Sequence, residues 1–515
     1  MATQWQTFPI EFRGGLISNQ SPLQQGTNAV GSATLLQNFE PSKEGGYTKI
    51  LGYTKHDSSA VPGSGPILGV KVVNSSDTLA VRKDGSASKV YLSTGSGWTL
   101  KATSATAAGG KVTFENFDFS SSNIIVLVDG VNYPAVFDDT ANTVTYMTSS
   151  DTTDVLAASS VARFKSAMFY AKGTNLIFTA PTTYNDFSVA NGSGTLNIGD
   201  AIVGLKVFRD QLIIFGRNKI KRLSGNSAAD YVVSPISENI GCVAGLTIQE
   251  VGGDLFFASV DGIRSLAATD RIGDFGLEIP SDPIAKNTYD FMQSASDFSS
   301  VVIREKAQYR IFAYNSSEQQ SAAGGLLATK LLPQGGSGLA WAETKGIKAY
   351  VADSAYTDSL AEIVLFGNED GYIYKLESGS SFDGSNINAI YESPFMPIND
   401  PQMRKSFYKA TFYIEPTGSL SLDYNVKYDF DKGPADGVVQ PDTDTLSSTG
   451  SSVFTYGTTS AVFNTATFGG NLDKVYTENI IGSGKTIALR IEDTSTNPTF
   501  TLDTVLLEFA TEDRQ

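Results

Sequence analysis

Histidine, cysteine and tryptophan are scarce in this chain of 515 residues, which has one histidine, one cysteine and three tryptophans. The single cysteine, Cys242, excludes a disulfide within the chain and a zinc site made of cysteines. The single histidine, His56, excludes an HExxH motif and a metal face with two histidines. We expect Cys242 to be a buried thiol and His56 to be a solvated loop residue, because a catalytic site needs several converging groups.

Basic charge and long apolar runs are lacking as well. The chain has 38 lysines and arginines and 54 acidic residues, so the net charge is −16. A protein that binds the phosphate backbone of nucleic acid usually carries a basic surface. Apolar runs such as Ile124–Val128 are far shorter than the roughly 20 residues that span a bilayer. Residues 1–6 do not resemble a secretory signal. We expect a protein made in a cytoplasm, with no stable membrane insertion.

Two stretches imitate ligand-binding motifs. The stretch 482–486 reads GSGKT, like the end of a phosphate loop, but Asn479 stands where that pattern requires its first glycine. Residues 487–492 alternate in the manner of a strand, whereas a phosphate loop opens a helix. We therefore interpret Lys485 and Thr486 as part of a hairpin turn that binds no nucleotide.

The second stretch, residues 429–437, offers oxygen ligands for calcium but lacks the closing glutamate of an EF-hand and is interrupted by proline. It is typical of a turn. Nothing in the sequence singles out two of the 54 acidic residues as a glycosidase pair. The sequence therefore predicts no catalytic residue, no cofactor, no metal and no enzymatic activity.

A repeated pattern dominates residues 61–393: a short apolar strand, a polar turn, an apolar run, a turn such as Asp-Gly, and another strand. The copies begin roughly 40 to 55 residues apart, which is the interval of a four-stranded propeller blade. With only 18% charged residues and 49 glycines, the chain is predicted to be all-β, with a propeller of six or seven blades. Unrelated β-meanders are the alternative. The copies cover residues 70–92, 114–137, 164–178, 205–223, 248–266, 302–341 and 363–376.

Two regions depart from this pattern. Residues 282–292 predict a short helix with Asp282 as its N-cap and proline at its first position. Residues 394–515 predict a C-terminal antiparallel β-sandwich, in which residues 420–430 form a half-buried strand because apolar and polar residues alternate there. The expected domains are thus an extended N-terminal segment (1–60) that packs on the propeller, the propeller (61–393) and the sandwich (394–515).

The N-terminal segment resembles that of bacteriophage tail nozzle and hub proteins, which are the tail tubular B-type and related tail accessory proteins of short-tailed phages. That family has an early Gly-Gly, a proline, an asparagine and a glycine-rich stretch ahead of the propeller, and shorter similarities occur in residues 240–266 and at the end of the sandwich. The residues that carry the resemblance are Gly14, Gly15, Pro22, Asn38, Gly46, Gly52, Gly253, Asp261 and Gly262.

This resemblance implies a structural protein of the virion. It implies a homo-oligomeric, six-fold ring below the portal and adaptor complex, in contact with tail fibres or a tail needle, through which double-stranded DNA passes without specific binding. Six chains at −16 each carry a charge of about −96, and a lumen of that sign would repel phosphate. The N-terminal segment is expected to lie along the first and last blades, to have no strand or helix of its own, and to contribute to a contact with neighbouring subunits or the adaptor. A floppy N-terminal arm is the alternative.

Two other functions stay open. The first is a glycan-binding or glycan-cleaving tail spike, for which Trp98 and Trp341 are candidate ligand contacts, although both fit the core of a blade as well. The second is a receptor-binding fibre, which is usually a trimer with a repetitive shaft. No heptad or collagen-like repeat occurs in the sequence, and this disfavours a fibre.

Overall fold

The computed structural model describes residues 5–104, 107–148, 154–266, 279–295, 297–331, 338–357, 359–431, 440–448 and 474–511. Within these ranges the protein is nearly all β, as predicted, and it combines a propeller with a sandwich of two sheets. The proposed calcium-like turn lies partly outside them, because only its first three residues, 429–431, are described.

The N-terminal segment contains five short strands and one helix, so the prediction that it has no regular structure is wrong. Helix α1 is capped by the Ser21 hydroxyl, which accepts a hydrogen bond from the Gln24 amide at 3.4 Å, and it begins with Pro22. The elements are β1 (Gln6–Glu11), α1 (Pro22–Asn28), β2 (Leu35–Gln37), β3 (Phe39–Pro41), β4 (Tyr47–Lys49) and β5 (Tyr53–Lys55).

The first four blades are meanders of four consecutive antiparallel strands, as the repeated pattern predicts. Their central strands are buried on both faces because they pack between neighbouring blades. The strands are β6 (Ile67–Val72), β7 (Thr78–Asp84), β8 (Ala87–Ser93), β9 (Thr99–Thr103), β10 (Thr113–Phe117), β11 (Ile124–Val128), β12 (Ala135–Asp138), β13 (Thr143–Tyr146), β14 (Ser160–Phe164), β15 (Ala167–Lys172), β16 (Asn175–Phe178), β17 (Gly194–Asn197), β18 (Ile202–Phe208), β19 (Gln211–Gly216), β20 (Ile220–Ser224) and β21 (Val232–Ser237).

Three further blades complete the ring. In the fifth blade, helix α2 packs against the third strand, where the other blades carry a fourth. The seventh blade has three strands of its own and takes β5 as its outer strand. The elements are β22 (Gln249–Val251), β23 (Asp254–Ser259), β24 (Gly262–Ser265), α2 (Ala285–Ser294), β25 (Asp297–Ile303), β26 (Gln308–Tyr314), β27 (Gly324–Lys330), β28 (Leu339–Lys345), β29 (Val351–Tyr356), β30 (Glu362–Gly367) and β31 (Ile373–Leu376).

The described residues therefore form seven blades, and the ring closes without a covalent bond. The innermost strand of the seventh blade, β29, packs against β6 of the first, where the Asp353 carboxylate accepts a hydrogen bond from the Val72 amide at 3.0 Å. On the outside, β5 pairs with β31, and the Tyr53 ring stacks on Phe382 at 5.0 Å between ring centroids. The beginning and the end of the propeller are thus held by strands distant in sequence.

The sandwich draws on residues before 394. Its first sheet has the order β3-β4-β38-β33-β36, with β1 also paired to β38. Its second sheet has the order β2-β32-β37-β34-β35 and continues through β2 into β28 of the sixth blade, so that propeller and sandwich share one nine-stranded sheet. The remaining strands are β32 (Ala389–Glu392), β33 (Lys405–Pro416), β34 (Leu420–Tyr428), β35 (Asp444–Ser448), β36 (Val475–Gly484), β37 (Ile487–Asp493) and β38 (Phe500–Thr511).

The alternating strand at residues 420–430 is confirmed as β34, in which alternate side chains from Leu420 to Tyr428 are buried in the sandwich core. It ends two residues earlier than predicted, because Asp429 and Phe430 have φ angles of +48° and +66° and cannot continue a strand. The helix at 282–292 is confirmed in part. A 3-10 turn, Asp282–Ile284, precedes α2, and the N-cap of that turn is Ser281 rather than Asp282.

Candidate functional site

Four of the residues that carry the family resemblance hold the N-terminal segment against the propeller and the sandwich. Gly15 has a φ of +69°, and a Cβ on it would lie 2.7 Å from the Trp341 carbonyl oxygen. A Cβ on Gly46 would lie 2.8 Å from the Leu502 carbonyl oxygen, and one on Gly52 would lie 1.9 Å from that of Ser381. Only glycine permits such close backbone contacts.

The fourth of these residues, Asn38, joins the segment to the end of β28. Its φ is +53°, and its side chain is buried. The carboxamide nitrogen donates to the carbonyl oxygens of Lys345 and Asn388 at 3.0 and 2.8 Å, and the carboxamide oxygen accepts from the Lys345 amide at 2.8 Å. Asparagine tolerates this left-handed backbone and satisfies three backbone groups at once. The residue thus has a structural role.

The other signature residues have local roles. Gly14, beside Gly15, has a φ of +91°, and Pro22 begins α1. Gly253, with a φ of +83°, lies in the turn before β23 of the fifth blade. Asp261 forms an ion pair with Arg264, and Gly262 has a φ of +140° and faces the Ser281 hydroxyl. The structure therefore places three signature residues in the fifth blade and six in the N-terminal segment.

We expect Gly15→Ala to lower the free energy of unfolding by about 1–3 kcal/mol more than Gly45→Ala does. Both glycines have positive φ, so both substitutions strain the backbone. Only Gly15 faces the Trp341 backbone, whereas no atom lies within 4 Å of a Cβ on Gly45. Urea unfolding of the two variants measures the difference, and equal midpoints would contradict the tight contact.

An ionic cluster lies buried where the segment meets the sixth and seventh blades. The Arg310 guanidinium, fully buried, contacts the carboxylates of Glu40 and Glu377 at 2.9 and 2.8 Å. Lys306 also pairs with both carboxylates, and Gln308 donates to Glu40 at 3.0 Å. Burial opposes ionisation of Glu377, but the charges of Arg310 and Lys306 outweigh it and hold the pKa of that carboxyl below its usual value. No motif marked these residues in the sequence.

A second buried ion pair lies inside the sandwich. The Lys49 ammonium is 3.3 Å from the Asp493 carboxylate, and both side chains are fully buried. Lys49 also donates to the Ser495 carbonyl at 3.0 Å. Burial lowers the pKa of Lys49, and Asp493 partly opposes that effect. Because one partner belongs to β4 and the other to β37, the pair connects the N-terminal segment to the sandwich core.

The GSGKT stretch ends strand β36 and turns at Lys485 and Thr486 into β37, but the hairpin prediction is wrong. Strand β36 before it pairs with β33, and strand β37 after it pairs with β32 and β34, so the turn crosses from one sheet of the sandwich to the other. The Asp429 carboxylate accepts hydrogen bonds from the amides of Lys485 and Thr486 at 2.7 and 3.1 Å. These are the amides that a phosphate group would need.

We expect that neither the wild type nor the Lys485→Ala variant retains ATP above background. The reason is that the neighbouring amides already bind Asp429, whose negative charge repels phosphate. Equilibrium dialysis of ATP against wild type and variant measures the effect. ATP retained by the wild type and lost by the variant would contradict this interpretation.

A cavity of about 620 Å³ opens on the propeller face where the innermost strands begin. It lies between the sixth and seventh blades and the end of α2. Its polar side chains include those of Asp297, Tyr314, Asn315, Tyr350 and Glu369. Cavities of about 300–1,000 Å³ hold small molecules in proteins. Its residues are separated in sequence by up to 303 positions, from Pro66 to Glu369, so no sequence motif signalled it.

Lys111 of the second blade reaches the edge of this cavity. Its ammonium lies 2.7 Å from the Asp297 carboxylate, donates to the Phe298 carbonyl at 3.1 Å and sits 4.3 Å from the centroid of the Tyr350 ring. Burial lowers the pKa of Lys111, and Asp297 partly opposes that effect. Since the first and seventh blades separate the second from the sixth, this side chain crosses towards the propeller axis. It thus joins the second blade to the sixth blade and to Tyr350.

Charged side chains of both signs project from the innermost strands. Lys71 pairs with Asp353 at 3.4 Å, and Arg163 pairs with Asp118 at 3.0 Å. Burial raises the pKa of Glu115, although Lys206, Lys71 and Arg163 lie near enough to oppose the rise. The interior of a single propeller is therefore mixed in charge, and it does not share the acidity of the whole chain.

The residues considered for catalysis lie apart. His56 is half-buried rather than solvated, with its Nε2 atom 3.2 Å from the Thr78 hydroxyl, and burial lowers its pKa. Cys242 is buried as predicted, and burial raises the pKa of its thiol to about 12. Trp341 is buried in β28, and the half-buried Trp98 donates its indole N–H to the Ser59 carbonyl at 3.0 Å. None of these side chains lines the cavity.

No group of three histidine, cysteine or acidic side chains that could hold a metal ion occurs in the described ranges. None of the helices in that part of the chain is long and apolar enough to cross a membrane.

No family model matches the sequence, and the comparison with curated proteins gives no match. Among solved structures, the chain is similar to U3-55K (12% identity, TM-score 0.39, covering 64% of this chain and 98% of that one) and to the RRP9 WD40 repeats (11%, 0.40, 63% and 99%). It is also similar to an exo-β-1,3-galactanase from Phanerochaete chrysosporium with galactose (10%, 0.27, 89% and 100%). These low TM-scores carry no argument about function.

Proposed function

We propose that this protein is a structural subunit of a bacteriophage tail and forms a six-fold nozzle or hub ring through which genomic DNA leaves the virion. The observation that carries the proposal is the course of the N-terminal segment. The residues that resemble the tail family there, such as Gly15, Asn38 and Gly52, each meet a backbone contact that requires that residue type. The resemblance therefore rests on residues that the fold needs.

The shared nine-stranded sheet supports a mechanical role. A ring that confines DNA under pressure needs subunits whose domains do not rotate against each other. Here the sixth blade and the sandwich are continuous through β2, and buried ion pairs hold β3 and β4. Adaptor and portal proteins, and fibres or a needle, are the partners that the family resemblance implies.

We propose that the outer face of the first sandwich sheet contacts the next copy of this chain in the ring. This face, formed by β1, β38, β33 and β36, exposes Tyr413, Val475 and Ile481, and Trp5 packs on Tyr408 at 4.5 Å between centroids. It carries the ion pairs Lys409–Glu508 and Lys474–Glu415. On a chain of charge −16, a face with exposed apolar residues and paired lysines is where two copies can approach with less repulsion. A closed ring then requires a different complementary surface on the neighbour.

Native mass spectrometry tests the ring. We expect a species of six times the chain mass of 54.8 kDa. Tyr413→Arg combined with Ile481→Arg should shift the population to single chains, because each places a charge in the contact. Val189→Arg, which changes an exposed valine of the third blade, is the matched control and should leave the ring intact. A trimer, or a ring insensitive to the double substitution, would contradict the proposal.

A glycan-cleaving enzyme is the second candidate, and the cavity argues against it. Glycoside hydrolysis needs a carboxylic acid whose pKa is raised so that it can donate a proton. At Glu369 burial acts in that direction, but hydrogen bonds from Lys348 and the Tyr314 hydroxyl outweigh it and keep the pKa below its usual value. The Asp297 carboxylate is occupied by Lys111. We therefore propose that the protein has no catalytic activity, and turnover of a glycan by pure protein would contradict this.

A further inference from the structure

The cavity between the sixth and seventh blades has balanced charge. Its two carboxylates, Asp297 and Glu369, each contact one ammonium group: Lys111 at 2.7 Å and Lys348 at 2.6 Å. Both lysine side chains are buried or nearly so, whereas each carboxylate is about two-fifths exposed. The cavity therefore presents carboxylate oxygens to an incoming molecule. The ammonium groups of Lys111 and Lys348 already compensate their charge.

These carboxylates keep unused acceptor positions. Glu369 accepts from Lys348 through one oxygen and from the Tyr314 hydroxyl through the other, at 2.6 and 2.7 Å. An ionised carboxylate has about four lone-pair sites, so two remain on Glu369. Burial raises the pKa of Tyr350 to about 12, and the Asp297 carboxylate, to which the Tyr350 hydroxyl is hydrogen-bonded, adds to the rise.

Part of the cavity wall is aromatic or apolar, and the other lining residues are polar. The rings of Tyr314 and Tyr350 lie 4.5 Å apart between centroids at an interplanar angle of 56°, and Pro66 and Ala295 continue the wall. Asn315 and Ser316 add amide and hydroxyl groups at the rim. Such a combination suits a molecule with an apolar C–H face and a fringe of hydroxyl groups.

We propose that this cavity binds a neutral saccharide. A sugar ring offers hydroxyl donors to Asp297 and Glu369, and it places its C–H face against Pro66, Ala295 and the half-buried Tyr350 ring. An anionic ligand would meet two carboxylates, and a cationic ligand would gain little because Lys111 and Lys348 already compensate them. The proposal is independent of the proposed six-fold ring, because the cavity is formed within a single chain.

Saturation-transfer NMR with the full chain tests the site. The probes are glucose, galactose, mannose and N-acetylglucosamine and their β-linked disaccharides, with spermidine and glucuronate as charged comparisons. We expect transfer to at least one neutral sugar. Tyr350→Ala should weaken its binding by about twofold to tenfold, because an aromatic contact contributes about 0.5–1.5 kcal/mol. Transfer only to spermidine or only to glucuronate would overturn the proposal, as would no transfer to any probe.

Two further variants separate binding from folding. Tyr356→Ala removes the exposed tyrosine at the opposite end of β29 and should bind the sugar as wild type does. Glu369→Gln keeps the shape of the side chain and removes its charge. We expect this variant to bind the sugar more weakly as well. If Tyr350→Ala unfolds, Glu369→Gln remains the test. Sugar binding unchanged in a folded Glu369→Gln variant would place the site elsewhere and overturn the proposal.

Discussion

Replacing Arg310 by alanine should lower the free energy of unfolding by about 3–5 kcal/mol, because it leaves two carboxylates buried without their shared cation. Arg310 is fully buried between Glu40 of the N-terminal segment and Glu377 at the end of the seventh blade. Urea unfolding measures the loss. Arg13→Ala is the control, since Arg13 pairs with Glu11 at the surface, and we expect a loss below about 1 kcal/mol there.

The same cluster should make stability depend on acid pH. The pKa of Glu377 is lower in the folded protein than its ordinary value of 4.5, so the folded state favours the ionised carboxyl. Its contribution is complete above about pH 4.5 and is lost as the pH falls through the folded pKa. Comparing wild type with Glu377→Gln between pH 3 and pH 7 isolates this contribution. If the difference in stability between the two proteins is the same at pH 3 and pH 7, this account of the cluster is wrong.

Deleting residues 1–53 should abolish folding to a soluble, cooperative state. The deletion removes β1 to β4 from both sandwich sheets and Tyr53 from the seventh blade, and it exposes the buried surfaces against which they pack. It also removes Glu40 and leaves Arg310 with fewer partners. A loss of this size exceeds the roughly 5–15 kcal/mol by which a native protein is stable.

Light scattering and near-ultraviolet circular dichroism of the purified chains measure the outcome. A chain that begins at Trp5 is the control and should fold, because it retains every described element of the segment. A soluble truncated chain that begins at residue 54, unfolds cooperatively and forms rings would show that the segment is dispensable.

The propeller could be predicted because each blade is local in sequence. Four consecutive strands such as β6 to β9 pair with their neighbours, so the apolar runs and turns appear in order along the chain. The alternation in β34 was readable for the same reason, since nine residues are enough to show a period of two. The first residue of the helix was harder to predict. The Ser281 hydroxyl accepts a hydrogen bond from the Ile263 amide and none from an amide of its own helix.

The N-terminal strands could not be predicted. Strands β2 to β5 have three residues each, which is too short to show a period. Their partners are hundreds of positions away: Leu36 pairs with Tyr391, and Tyr47 with Leu502. The GSGKT turn misled for a related reason, since a tight turn between sheets and one within a sheet have similar sequences.

By itself the sequence determined the all-β class, the repeated blades, the buried Cys242 and the alternating strand β34, because these follow from contacts between near neighbours and from the period of apolar residues. Only the tertiary structure decided that β5 closes the propeller and that one sheet joins the sixth blade to the sandwich. It alone brought Lys111 to Asp297 and Arg310 to Glu40. These pairs lie 186 and 270 positions apart, and a contact over such a distance depends on packing that no local pattern records.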